Sequence, residues 1–314
     1  MNIYSSIARP IISLAPMEDV TDTVFRQIVA SVQRPDLFYT EFVNVEGLNS
    51  EGRDKVMQRL KYDESEKPII AQLWGSNPNN FYNAAILVRE LGFDGIDINM
   101  GCAVKKVSSK NEGIGMINAD RGLVEEVIQS VKDGAEEVPV SVKTRLGWSR
   151  YDENWIRFLL EQGLDALTIH LRTAVGESAI EADWEKISLC LKLRDKIDKD
   201  TLIFGNGDVK SIEQAMEYYR EYDVDGVMIG RAAIDAPWIF SEHRKFSDLD
   251  RIKLFKKHVF LFKKTWGDTK NFSILKKFIK SYVSDFPNSQ EIRERMMNTK
   301  SIDDLLQIID ELLS

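Results

Sequence analysis

The chain has 314 residues, 43% of them hydrophobic and 29% charged, with a formal net charge of −8 at pH 7. That length fits one α/β barrel domain of about 250 residues plus an appendage, and the composition excludes a low-complexity or disordered chain. No apolar run approaches the ~20 residues of a membrane span and no secretory leader pattern is visible, so a cytoplasmic protein is expected.

In chain order, short β-branched or apolar runs alternate with longer amphipathic segments, the pattern of parallel strands joined by helical crossovers. Strands are predicted at residues 11–15, 37–41, 68–73, 95–99, 140–144, 166–170, 202–206 and 226–230. Helices are predicted at 22–31, 43–60, 79–91, 123–132, 154–161, 184–194 and 212–222. Eight such alternations favour a closed (β/α)8 TIM barrel over an open doubly wound sheet. After Ala236, Pro237 and Trp238 the strand pattern stops, and from Asp250 onward helical patterns dominate, with breaks near Gly267 and Pro287. The chain is therefore read as α/β, a TIM-barrel catalytic domain over residues 1–243 followed by a small all-α helical domain over 244–314.

The net charge hides a division. Residues 244–280 hold 12 Lys or Arg against 3 Asp or Glu, residues 281–314 hold 3 against 7, and the first 243 residues carry −13. A basic stretch in an acidic chain points to a polyanion-binding surface in the helical part.

Side chains at the C-terminal ends of barrel strands face the active site. Here those ends supply Ala15, Pro16 and Met17; Glu41; Gln72; Asn99 and Cys102; Lys143 and Arg145; His170 and Arg172; Asn206, Gly207 and Asp208; Gly230 and Arg231. Glycine-rich turns after strands seven and eight are where such barrels hold a ligand's phosphate by backbone N–H groups, and Arg231 adds a charge-assisted partner. Lys143 puts an ammonium beside any electron-rich ring at the mouth, where it can stabilise developing negative charge, and Gln72 and His170 offer neutral contacts to the ring edge. The two cysteines and three histidines are too few for a disulfide framework or a structural zinc site, so no metal is expected. Cys190 sits at helical spacing among apolar residues and reads as a core thiol. Cys102, in a loop past strand four, can act as nucleophile or proton donor; acid is the preferred role, because a thiol of ordinary pKa is largely protonated at neutral pH.

In this order, the segments around Ala15-Pro16-Met17, Thr40-Glu41-Phe42, Ala71-Gln72-Leu73-Trp74-Gly75, Asp97-Ile98-Asn99-Met100-Gly101-Cys102, Val142-Lys143-Thr144-Arg145, His170-Leu171-Arg172-Thr173, Gly205-Asn206-Gly207-Asp208 and Gly230-Arg231 resemble the tRNA-dihydrouridine synthases. The resemblance covers essentially the whole chain. It implies FMN in the barrel, NADPH as reductant, and a tRNA uridine as substrate, with hydride passing from flavin N5 to C6 and a proton from Cys102 to C5. It assigns Ala15, Pro16, Met17, Gln72, Lys143, His170, Asn206, Gly207, Asp208, Gly230 and Arg231 to the cofactor. Glu41, Asn99, Lys105, Lys106, Arg145, Arg172, Lys276 and Lys277 are assigned to the tRNA. Ala103 stands where the family usually has proline, a change that bears on rate more than on reaction type. A monomer is expected. The competing readings are an FMN barrel acting on a free small molecule, which the basic helical segment disfavours, and a catalytically lapsed tRNA-binding protein, which Cys102, Asn99 and Lys143 disfavour.

Overall fold

Eight parallel strands form one sheet ordered β1-β8-β7-β6-β5-β4-β3-β2 in the computed structural model, which describes residues 2–102, 111–176, 180–241, 245–284 and 286–314. The strands are β1 (Ile11–Leu14), β2 (Phe38–Asn44), β3 (Ile69–Trp74), β4 (Gly95–Met100), β5 (Val140–Arg145), β6 (Ala166–His170), β7 (Leu202–Asn206) and β8 (Gly226–Ile229). The sheet curls until β1 meets β2 through the bridge of Ser13 with Leu37 and the bond from Leu14 N–H to the Leu37 carbonyl at 3.1 Å. All eight predicted strands are present. The crossover helices are α1 (Thr23–Ala30), α2 (Pro78–Glu90), α3 (Arg121–Ala135), α4 (Glu153–Leu160), α5 (Glu185–Ile197) and α6 (Ile212–Tyr222), and α7 (Arg231–Asp235) follows β8.

Four aspartates clamp the N-terminal rim in register. Asp36, Asp94, Asp165 and Asp225 precede β2, β4, β6 and β8. Their carboxylates accept the backbone N–H of Ile12, Ile69, Val140 and Ile203 at 2.7–2.8 Å. Each aspartate's own N–H returns a bond to the carbonyl of that same residue at 2.9–3.0 Å. The pairs β1/β2, β3/β4, β5/β6 and β7/β8 are thus each stapled twice.

Register decides which side chains enter the barrel, because successive residues of a strand face opposite ways. Ile96, Ile98, Val142, Leu167, Ile169 and Ile203 pack outward against the helices, while Ile11, Ala15, Leu37, Tyr39, Ile70, Ala166, Leu202, Phe204 and Met228 fill the interior around Tyr4. Tyr4 enters from below on the helical turn Ile3–Ser6 and meets Phe204 edge-on, with ring centroids 6.0 Å apart.

One predicted helix is corrected. Residues 43–60 form not a single helix but the end of β2, the turns Val45–Leu48 and Arg53–Met57, and a 3-10 turn Gln58–Leu60. A bulge accounts for the first two residues: Tyr39 pairs with Ile70 but Phe42, not Glu41, pairs with Gln72, so β2 spends an extra residue, and Val43 and Asn44 belong to the sheet.

Beyond the barrel lie α8 (Asp248–Trp266), the 3-10 and α turns Phe272–Phe278 and Ile279–Tyr282, α9 (Ser289–Met297) and α10 (Ile302–Leu313). The predicted breaks fall at Gly267 and between Tyr282 and Ser289, and a further one at Asn298–Ser301 separates α9 from α10. The expected 243/244 division lies outside the described residues. These helices share a core with the barrel's α1: Phe25 stacks on Phe278 at 5.1 Å and lies 6.1 Å from the His258 ring. Asp22 ties the same joint. Its Oδ1 caps α1 at Phe25 N–H, and its Oδ2 accepts from Trp266 Nε1 and Lys270 Nζ, both at 2.9 Å. No helix among the described residues is long and apolar enough to cross a membrane.

Asp94→Ala leaves the Ile69 N–H without its side-chain acceptor and is expected to lower unfolding free energy by about 1–3 kcal/mol. Urea denaturation followed by circular dichroism checks this. Asp94→Asn keeps an acceptor and should lose clearly less; equal losses would count against the rim staple.

Candidate active site at the barrel mouth

Above the C-terminal strand ends lies a cavity of about 510 Å³, within the range of small-molecule and cofactor sites. It is lined by Ala15, Pro16, Met17, Gln72, Asn99, Cys102, Lys143, Arg145, His170, Arg172, Asn206, Gly207, Asp208, Gly230 and Arg231, so the strand-end residues picked from the sequence converge on one space, Glu41 excepted. Phe42, Val209, Lys210, Ala232 and Asp235 line it as well and were not picked. Phe42 takes its place because the β2 bulge shifts the inward parity by one, and the others adjoin the two glycine turns.

The floor is a polar network. Lys143 Nζ donates to Asn206 Oδ1 at 3.1 Å, and Asn206 Nδ2 donates to the Met228 carbonyl at 2.8 Å. Burial, reinforced by nearby Arg145, lowers the Lys143 pKa to about 8 against the opposing pull of Asp97 and Cys102. Asn99, only 5% exposed, donates to Gln72 Oε1 at 2.9 Å. Arg145 Nε donates to the Gly101 carbonyl and Nη1 to the Thr173 carbonyl, both at 3.0 Å, which brings its guanidinium beside the Cys102 loop.

One wall is organised by Asp208, which sits at φ 53° after Gly207 at φ 133°. Its carboxylate accepts from Arg172 Nη2, from Arg231 Nη2 at 2.6 Å and from Ala182 N–H at 3.0 Å. Burial works against its ionisation, but the Arg172 hydrogen bond and the other donors outweigh it and hold the carboxyl below the usual range. Arg172 Nη1 also lies 3.0 Å from His170 Nε2. A guanidinium only donates, so Nε2 must accept and the ring proton sits on Nδ1. Burial first, then Lys143, Arg145, Arg172 and Arg231, push the His170 pKa far down and keep the ring neutral. Gly205 is required here because a Cβ would lie 2.4 Å from the Trp184 ring, whose Nε1 bonds to the Gly207 carbonyl at 2.9 Å.

Several expected residues lie elsewhere. Glu41 is 2% exposed; its Oε1 accepts from Asp19 N–H at 2.7 Å and its Oε2 lies 3.6 Å from Lys270 Nζ. Burial raises its pKa against the pull of Lys270. Lys276 Nζ donates to the carbonyls of Met297 at 2.8 Å and Thr299 at 2.9 Å, and Lys277 Nζ to the Asp19 carbonyl at 3.1 Å. Lys105, Lys106 and Ala103 lie outside the described residues. Cys190 is buried in α5, its thiol pKa pushed up to about 12 by burial.

The fold is that of TIM-barrel proteins. It aligns with morphinone reductase at TM-score 0.54 and 12% identity, covering 76% of this chain and 86% of that one. With the old yellow enzyme homologue from Zymomonas mobilis the TM-score is 0.52 at 15% identity, over 77% and 91% of the two chains. The sequence goes further: it matches the dihydrouridine synthase (Dus) family over residues 13–313, and the chain belongs to that family. It is 41% identical to a probable tRNA-dihydrouridine synthase of Staphylococcus aureus strain COL over 99% of this chain and 95% of that protein. It is 40% identical to probable tRNA-dihydrouridine synthase 2 of Bacillus subtilis strain 168 over 99% and 96%.

His170 is expected to stay neutral, protonated on Nδ1, across about pH 5–8, where an ordinary histidine titrates. Nitrogen-15 NMR of histidine-labelled protein checks it, and a titration near the ordinary histidine value would remove the Arg172 contact from the account.

Proposed function

We propose that the chain is an FMN-dependent, NADPH-driven tRNA-dihydrouridine synthase in which Cys102 is the catalytic acid. The observation that carries this reading is the convergence of Cys102, Asn99, Lys143 and His170 with the Gly207 and Arg231 turns on one cavity, in a chain of the dihydrouridine synthase family. The residues fit FMN: Arg231 and the glycine turns suit its phosphate, Lys143 suits the electron-rich end of the isoalloxazine, and neutral His170 and Gln72 suit its polar edge. When bound, FMN supplies the hydride that adds to C6 of the uracil.

Cys102 gives its thiol proton to C5, so the C5=C6 double bond becomes single and the thiolate is reprotonated from solvent. The cations Lys143 and Arg145 stand beside the forming thiolate and stabilise it. Asn99 holds the base edge, and Arg145 and Arg172 face the nucleotide. A stacked uridine cannot present C6 to the barrel floor, so the nucleotide must turn out of the tRNA at a cost of roughly a few kcal/mol, offset by phosphate contacts.

Residues 244–314 are proposed as the tRNA-binding domain. Lys276 spends two of its three ammonium donors on carbonyls, and Lys277 one, with the Asp19 carboxylate 3.9 Å from its Nζ, which still leaves each a donor for phosphate. On α8, Lys256 and Lys263 are spent on Asp310 and Asp303 of α10. Lys253, Lys257 and Lys264 stand exposed on one stripe with Phe260 and form no ion pair among the described residues. A cationic helix face with an exposed ring suits a folded RNA, read by shape and phosphate more than by sequence.

The purified protein should be yellow or reconstitute with FMN, and NADPH should bleach it; colourless protein that rejects FMN would overturn the flavin reading. Cys102→Ala should keep flavin and tRNA binding yet lose dihydrouridine formation by about 10²–10⁴-fold, the usual contribution of a positioned acid. Mass spectrometry of tRNA after reaction measures it.

Loss of the Lys143 charge is expected to weaken FMN binding to the flavin-free chain as pH rises through about 8, where this amine deprotonates. Fluorescence titration of FMN from pH 7 to about 9 reads the effect. Lys143→Met should bind weakly throughout and show no such step.

A further inference from the structure

A chain of hydrogen bonds runs from the barrel interior to the Cys102 loop, and its chemistry permits one polarity. Asp97 is fully buried; its Oδ1 accepts from Ser141 Oγ and its Oδ2 from Gln72 Nε2, both at 2.6 Å. Gln72 Oε1 accepts from Asn99 Nδ2 at 2.9 Å. Asn99 Oδ1 accepts from the backbone N–H groups of Gly101 at 3.0 Å and Cys102 at 2.9 Å.

A carboxylate only accepts, and a backbone N–H only donates. With an acceptor at one end and two donors at the other, both amides must point nitrogen toward Asp97 and oxygen toward the loop. Flipping either amide sets donor against donor or acceptor against acceptor, a mismatch that is costly where no water can relieve it. Asn99 Oδ1 then has both lone pairs engaged and Nδ2 one of its two hydrogens. What remains for a ligand is a single N–H donor, on a side chain lining the cavity with Cys102 and Lys143.

Resting on the reading of the cavity as a uridine site, we propose that Asp97 is a positioning residue. Through Gln72 it locks Asn99 as a donor to the 4-position of the base, while Asn99 Oδ1 holds the Cys102 loop. The site therefore accepts the 4-carbonyl of uracil and turns away the 4-amino group of cytosine, which would set one donor against another. Position of the acid and choice of base are thus set by one buried carboxylate.

The test uses FMN-loaded wild type, Asp97→Asn and Asp97→Leu on tRNA transcripts with uridine or cytidine at the target position. Flavin content and bleaching by NADPH are followed apart from base reduction. Asp97→Asn, whose Oδ1 still accepts from Gln72, should stay within about threefold of wild-type kcat. Asp97→Leu should keep its flavin and its bleaching, lose kcat by about 10²-fold with KM for tRNA little changed, and narrow the uridine preference. Wild-type kcat and base preference in Asp97→Leu, or equal impairment of both variants, would overturn the proposal. A neutron structure of the deuterated holoenzyme decides the lock even if Asp97→Leu does not fold. Deuterons on Gln72 Nε2 toward Asp97 and on Asn99 Nδ2 toward Gln72 are expected, and reversal of either amide refutes it. Failure of the wild type to make dihydrouridine would instead sink the synthase reading, leaving amide polarity to be judged by the neutron map.

Discussion

Everything at the mouth of this barrel depends on register at its other end. Asp36, Asp94, Asp165 and Asp225 staple alternate strand pairs by exchanging two hydrogen bonds with Ile12, Ile69, Val140 and Ile203. A slip by one residue would turn every side chain of a strand to the opposite face. It would replace Asn99 by Met100, Lys143 by Thr144 and His170 by Leu171 at the cavity. The other seams begin with backbone bonds, such as Phe38 N–H to the Pro68 carbonyl and Ile96 N–H to the Pro139 carbonyl. Carboxylates at one rim thus set which chemistry appears at the other, through strands only four to seven residues long.

The mouth carries an excess of positive charge. Lys143, Arg145, Arg172, Lys210 and Arg231 line it against two carboxylates, Asp208 and Asp235. Asp208 is committed to two of those arginines. Burying cations is costly unless each is paired, and the fall of Lys143 to about 8 is that cost expressed as acidity. On the proposed function an anionic group at the glycine turns relieves it; burial first, and then the same positive field, keeps His170 neutral, so the wall offers a hydrogen-bond donor rather than another charge. On that reading, cofactor affinity and the protonation states of the site are coupled through burial and this field together.

Much of this was legible in the sequence, for a simple reason. Strand ends in a parallel barrel share a direction, so a polar residue closing an apolar run is placed at the mouth by periodicity alone, as Gln72, Lys143, His170 and Asn206 were. Illegible were the features that depend on partners distant in sequence. Nothing local to Glu41 announces a bulge that turns it away from the cavity and brings in Phe42, or a lysine 229 positions further on that lies beside it. Lys277 reads as an exposed cation until Asp19, 258 positions earlier, is found against it. Asp97 shares the inward parity of Asn99, but its role lies in bonds to Gln72 and Ser141 on neighbouring strands.

The joint between barrel and helices bears on how a large substrate would be handled. Asp22 caps α1 and also holds Trp266 and Lys270, while Phe25 of α1 stacks on Phe278. The loop ahead of α1 carries Met17, which lines the cavity and whose carbonyl accepts from Thr21 N–H at 3.0 Å. The basic helices and the cavity wall are therefore anchored to the same short helix by buried contacts, including a neutral His258 whose pKa burial lowers to about 4. Parts joined by such packing have little freedom to swing apart, since a densely packed joint shifts only by breaking its contacts. On the proposed function, the distance between phosphate contacts and Cys102 is then fixed by the protein. The adjustment must come from the RNA, whose target nucleotide has to leave its stack to reach a cavity that does not come to meet it.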